Sequence, residues 1–116
     1  MIDNMDRVER LISRLQPVLP LPARAPPDLI ARLRRKSPAS KIAEDCEVAK
    51  VLYSGDDGGV LCNVRFDKEE AEVVFLVSIT HLAFDRRLPI AHDIAAYQKH
   101  RSKRLRKAAT DRRAAY

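Results

Sequence analysis

The densest chemistry in this chain is cationic. Across Gln98-Lys99-His100-Arg101-Ser102-Lys103-Arg104-Leu105-Arg106-Lys107, six side chains carry a fixed positive charge and only Leu105 is apolar. On an α-helix Lys99, Lys103 and Arg106 share one face at i, i+4, i+7, and Arg101, Arg104 and Lys107 broaden it. The run spans ~12 Å of helix axis, enough to meet several phosphates of a nucleic-acid strand. Such contacts release condensed counterions and hold a protein on a backbone without reading bases. Six cations on duplex DNA correspond to a slope of roughly −5 in log K against log salt. Arg86 and Arg87, and Arg32, Arg34, Arg35 and Lys36, would extend the patch if the fold brought them near. There is no zinc finger, RNP box or clear helix-turn-helix to read sequence. With six aromatic residues and no Trp, stacking on single-stranded bases has little support. A membrane-surface helix would need several large apolar residues opposite its cations, and this run offers Leu105 alone.

Other reactive residue types do not assemble into recognisable sites. Cys46 and Cys62 have no CxxC spacing. With Asp57-Gly58 at the centre of a hairpin turn, Cys62 falls opposite Tyr53 and Cys46 lies about 20 Å away. A disulfide needs Cα atoms within about 7 Å, so the expectation is two free core thiols in a reducing compartment. His92 and His100 are ~12 Å apart along a helix, too far to share one metal. His81 ends the apolar face of a strand. The carboxylate pairs Glu44-Asp45, Asp56-Asp57 and Glu69-Glu70 are sequence neighbours, which point to different sides of a strand. The Gly55, Gly58, Gly59 loop lacks the phosphate cradle GxxxxGK[ST], and its aspartates would repel phosphate. GxSxG and HExxH are absent. The reading is therefore non-enzymatic, with no catalytic residue, metal or cofactor assigned.

The elements that must position the basic run follow from periodicity. The chain has 116 residues, 33% of them charged, and a net charge of +6. That length fits a single domain, 1–116. Net charge is +4 over 1–40, −5 over 41–84 and +7 over 85–116, so an acidic middle separates two basic ends. No stretch reaches the ~18 apolar residues of a membrane span. The first twenty residues carry Asp3, Asp6 and Glu9 and no apolar core segment, which does not fit a secretory signal. The expected location is cytoplasmic.

Residues 1–16 read as an N-terminal helix with Val8, Leu11, Ile12 and Leu15 on one stripe, capped by Asp3 or Asn4. Arg7, Arg10 and Arg14 lie off that stripe. Residues 17–26 form a proline-rich connector, extended and in part polyproline II, with no clean PxxPxK ligand pattern. Residues 27–37 form a short helix opened by Pro27 and closed by a basic end. Residues 44–82 read as an antiparallel meander: Glu47 to Tyr53, Val60 to Phe66, and Val73 to Ile79. Ser54 to Gly59 and Asp67 to Glu70 are its turns. The third strand, apolar at successive positions, is expected to lie centrally with both faces covered. Residues 88–115 read as a long basic C-terminal helix, with Ile90, Ile94 and Tyr97 packed on the sheet. The fold class is α+β: a three-stranded antiparallel β-meander with an N-terminal helix, a short second helix and a C-terminal helix.

The leading functional expectation is a small binding module that contacts RNA or DNA phosphates through Lys99, Arg101, Lys103, Arg104, Arg106 and Lys107, with no membrane partner. The rival is an adaptor or homo-oligomer, meeting an acidic protein or a second copy through the N-terminal helix or a sheet face.

Overall fold

A computed structural model describes residues 2–66 and 74–114, with side chains as far as 110. Helix α1 (Met5–Leu15) begins where the Asn4 side chain accepts hydrogen bonds from the backbone N–H groups of Asp6 and Arg7. Its stripe is spent inward: Val8, Leu11 and Leu15 are buried. A short 3-10 turn (Gln16–Val18) follows, then strand β1 (Leu21–Arg24) and helix α2 (Pro27–Lys36), with Pro27 in the first turn. Strands β2 (Asp45–Tyr53), β3 (Val60–Arg65) and β4 (Phe75–Ser78) come next. A second 3-10 turn (Ile79–His81) leads towards helix α3 (Ala91–Ala114). The Asp67–Glu70 turn and Val73 lie outside the described residues.

The architecture is α+β with three helices, but the antiparallel sheet has four strands, in the order β1-β2-β3-β4. The additional strand comes from the proline-rich connector. Leu21 pairs with Val48 and Ala23 with Cys46. The backbone groups of Arg24 face the other way and exchange hydrogen bonds with Ala83, at 2.8 and 2.9 Å. Antiparallel parity then turns the nitrogen of Pro22 away from β2, so the missing N–H costs no ladder bond.

β4 is an edge strand, contrary to the expected central position. Val77 packs into the core, while Leu76 on the other face is 60% exposed. The sheet buries one face only: Leu21 and Ala23 on β1, Cys46, Val48 and Val51 on β2, Val60, Cys62 and Val64 on β3, and Val77 on β4. The opposite face carries Glu47, Lys50, Leu52, Leu61, Asn63, Arg65 and Leu76. The inward set on β2 changes parity between Val48 and Val51, which a β-bulge between Val48 and Lys50 makes possible.

The β2–β3 register differs from the expected one by two residues. Tyr53 pairs with Val60, and Cys62 sits opposite Val51. The loop spans Ser54 to Gly59, with Gly55, Gly58 and Gly59 all at positive φ, in place of a two-residue Asp-Gly turn. A two-residue slip preserves the faces, so Cys62 stays inside. Both cysteines are free and buried. α3 starts at Ala91 rather than 88, because Asp85 to Ile90 form turns. Ile90, Ile94 and Tyr97 are buried as expected, and α3 packs against α1 and the second 3-10 turn.

Candidate polyanion interface

α3 is locked to the body by a buried polar cluster. Asp3 lies inside with its side chain fully covered, and Arg101 has a side chain only 3% exposed. The Arg101 guanidinium donates to Asp3 Oδ2 at 2.8 Å and to the carbonyl of Asp56 at 2.7 Å. The hydroxyls of Tyr53 and Tyr97 also donate to Asp3 Oδ2, each at 3.1 Å. Tyr97 Oη in turn accepts from the backbone N–H of Val60. Three distant pieces of chain therefore meet: the residues before α1, the β2–β3 hairpin and the middle of α3. Gly59 is required at this junction. Its φ is +66°, and a Cβ there would strike Tyr97 Oη and come within 2.8 Å of Arg101 Nη1. Burial, with Asp3 adding to it, pushes the Tyr97 phenol up to about 12. One helical turn from Arg101, Gln98 Nε2 donates to the carbonyls of Ile79 and Leu82 at 2.7 and 2.8 Å.

Arg101 thus leaves the set of cations expected to touch phosphate. Its position one turn after Tyr97 prolongs the buried stripe, and a partner carboxylate was waiting at Asp3. The other five expected residues, Lys99, Lys103, Arg104, Arg106 and Lys107, are exposed on α3. Arg101 is the last buried side chain of the helix among the described residues, and residues 102–107 are all exposed. From Arg101 to Ala114 the helix runs on for about 20 Å.

A second cationic group lies on α1. Arg7, Arg10 and Arg14 line a groove of about 300 Å³ together with Leu11 of α1 and Asp93, Ala96 and Tyr97 of α3. Arg14 donates to Asp93 at 2.8 Å. Arg7 and Arg10 form no side-chain ion pair with any described residue. Sequence reading placed these arginines off the apolar stripe but gave them no role. The i, i+3, i+7 spacing that puts them on one edge was legible, whereas the neighbour they face was not.

Two of the cations that could have extended the patch, Arg87 and Arg34, are bonded elsewhere. Arg87 pairs with Asp85 at 2.8 Å. Hydrogen bonds from the Arg87 side chain and backbone hold the Asp85 carboxyl down to about 2. Arg34 donates to the carbonyl of Ile42. His81 is pushed down by burial and by the neighbouring positive charge of Arg32. Burial raises the thiols of Cys46 and Cys62 to about 11 and 12, which keeps them protonated and unreactive at neutral pH. Among the described residues no group of three His, Cys, Asp or Glu side chains is placed to hold a metal ion, and no helix is long and apolar enough to cross a membrane. Comparison with family models, with curated proteins and with solved structures found no match for this chain.

Proposed function

We propose that this protein is a small, non-enzymatic binding module that holds nucleic-acid phosphates through the exposed cations of α3. The observation that carries the reading is the run beyond Arg101, where Lys103, Arg106 and Lys107 stand exposed with no acidic residue between Asp93 and Asp111. A helix polar all round gains nothing from core packing, so its stabilising partner is solvent or an anion. Binding rests on counterion release, and the four-stranded sheet with its helices serves as the scaffold. With Arg101 withdrawn, the cations Lys99, Lys103, Arg106 and Lys107 on duplex DNA correspond to a slope of about −3.6 in log K against log salt. Fluorescence anisotropy of a labelled duplex, titrated with wild type and with K99Q/K103Q/R106Q/K107Q between low and moderate salt, tests this. The wild type binds with a steep slope and the variant loses most of both affinity and slope. A flat wild-type response rejects the reading. The reducing chemistry of two buried free thiols fits a cytoplasmic location.

A second reading is an adaptor or homo-oligomer. The α1 stripe is no longer available for it, being buried in the core. The uncovered sheet face is available, with Leu52 and Leu76 exposed. Light scattering on wild type and L76E separates the two: a dimer that L76E dissociates, and that ignores nucleic acid, favours the adaptor.

A further inference from the structure

We infer that the groove between α1 and α3 seats the backbone of one nucleic-acid strand, with Arg7 and Arg10 of α1 and Lys103 and Lys107 of α3 forming a single phosphate track. The inference rests on the proposed function and names which surface of the module does the binding.

The two helices run antiparallel. Arg14, at the end of α1, is bonded to Asp93 at the start of α3, while Asp3, just before α1, is bonded to Arg101. The first turn of α1 therefore lies level with Arg101, and α3 continues past it. Ala96 lines the groove. Ala96, His100, Lys103 and Lys107 recur at i, i+4, i+7 and i+11, one stripe of a helix. The stripe that forms the α3 wall of the groove is thus the stripe that carries Lys103 and Lys107 onto the projecting part. On the other wall, Arg7, Arg10 and Arg14 follow one edge of α1. From the level of Asp93 to Lys107 the path is about 21 Å, the axial rise of roughly six base steps of one strand of a duplex at ~3.4 Å each.

Charge within the track is graded. At one end Asp93 already neutralises Arg14. Arg7 and Arg10 make no side-chain ion pair with a described residue, and neither do Lys103 and Lys107 beyond them. An anion entering from the open end meets uncompensated cations first and a closed ion pair last. The aromatic group at the groove, Tyr97, is buried, 6% exposed, so bases find no free aromatic face there. Lys99 and Arg106 flank Lys103 at the edge of the track.

The test uses the full chain and a fluorescent 15-nucleotide mixed-sequence single-stranded DNA, comparing wild type with R7Q/R10Q, K103Q/K107Q and, as a control on the open sheet face, K50Q. Thermal melts of the four proteins accompany the binding curves, and the exposed positions of all five residues predict near-equal midpoints. R7Q/R10Q and K103Q/K107Q should each weaken binding about tenfold and flatten the salt slope by roughly 1.4, about 0.7 for each lost single-strand contact. K50Q should change affinity less than twofold. If wild type binds but R7Q/R10Q binds equally well, the groove is overturned and the α3 reading stands. Wild type that binds no nucleic acid, or binds only vesicles rich in phosphatidylserine, overturns both.

Discussion

At the scale of single residues, the buried pair of Asp3 and Arg101 dominates. Asp3 Oδ2 takes three donors, while Oδ1 is buried with no hydrogen-bond partner. The desolvated carboxylate is thus only half satisfied, so its value lies in placing the chain and not in a surplus of energy. Removing one member leaves a charge buried alone. Asp3→Ala is expected to cost about 3–5 kcal/mol, whereas Asp3→Ala combined with Arg101→Met costs clearly less than the two single changes added together. Urea denaturation of the four proteins measures this, and a cost below about 1 kcal/mol for Asp3→Ala would show that the pair is solvated. The same interior predicts an alkaline limit. Cys46, Cys62 and Tyr97 have native values of about 11, 12 and 12. In the unfolded chain these groups give up protons near their ordinary values of 9.0 and 10.0. Above pH 9 the unfolded state therefore binds fewer protons than the native state, and stability falls as pH rises from 9 to 12. It does not change from this source below pH 9. Denaturation midpoints at pH 7, 9, 10 and 11 check the sign. Thiol reagents at pH 7 should label neither cysteine until denaturant is added.

At the scale of elements, β1 is the instructive strand. Proline normally excludes a central strand, and a stretch as rich in proline as 17–26 reads as an extended connector. Leu21–Arg24 is extended, while Pro17 and Val18 belong to a 3-10 turn. What sequence could not supply was the direction in which each N–H points, and that decides whether proline is tolerated. Pro22 faces away from β2, while Ala23 faces it. Ala23→Pro is expected to cost about 3 kcal/mol through a lost ladder bond, and Pro22→Ala to change stability by under about 1 kcal/mol. Equal effects of the two in chemical denaturation would refute the parity assignment. The same lesson explains the other differences. The α1 stripe, α2 with its proline start, the β2–β3 hairpin and the Ile90, Ile94, Tyr97 face were all legible, because local periodicity and caps specify them. The bulge after Val48 was not, since it shows only as weakened alternation. The edge position of β4 was not, since Val74, Leu76 and Val77 look alike in sequence whichever face is open. Of the candidate site, five of six α3 cations are exposed as read. Arg101 is buried because Asp3, 98 positions earlier, comes to meet it, and no local pattern announces so distant a partner. The contribution of α1 was hidden for the same reason.

At the scale of the whole molecule, one helix belongs to two regimes. Up to Arg101, α3 is held by Ile94, Tyr97, the Gln98 hydrogen bonds and the Asp3 pair. Beyond it no described side chain is fully buried, Leu105 itself being 40% exposed. A helical segment of this length without tertiary support is marginal in water. Hydrogen exchange should therefore break along a single continuous helix. Amides from Ile94 to Arg101 exchange only through large openings of the body, and those from Leu105 to Thr110 exchange by local fraying, at least roughly 100-fold faster. Adding the 15-nucleotide DNA should slow the second group far more than the first, because the ligand supplies the support that the body does not. Uniform slow exchange through Thr110 in the free chain would mean that the projecting turns already lie against protein, either this subunit or a second copy. The cations would then be spent before any nucleic acid arrived.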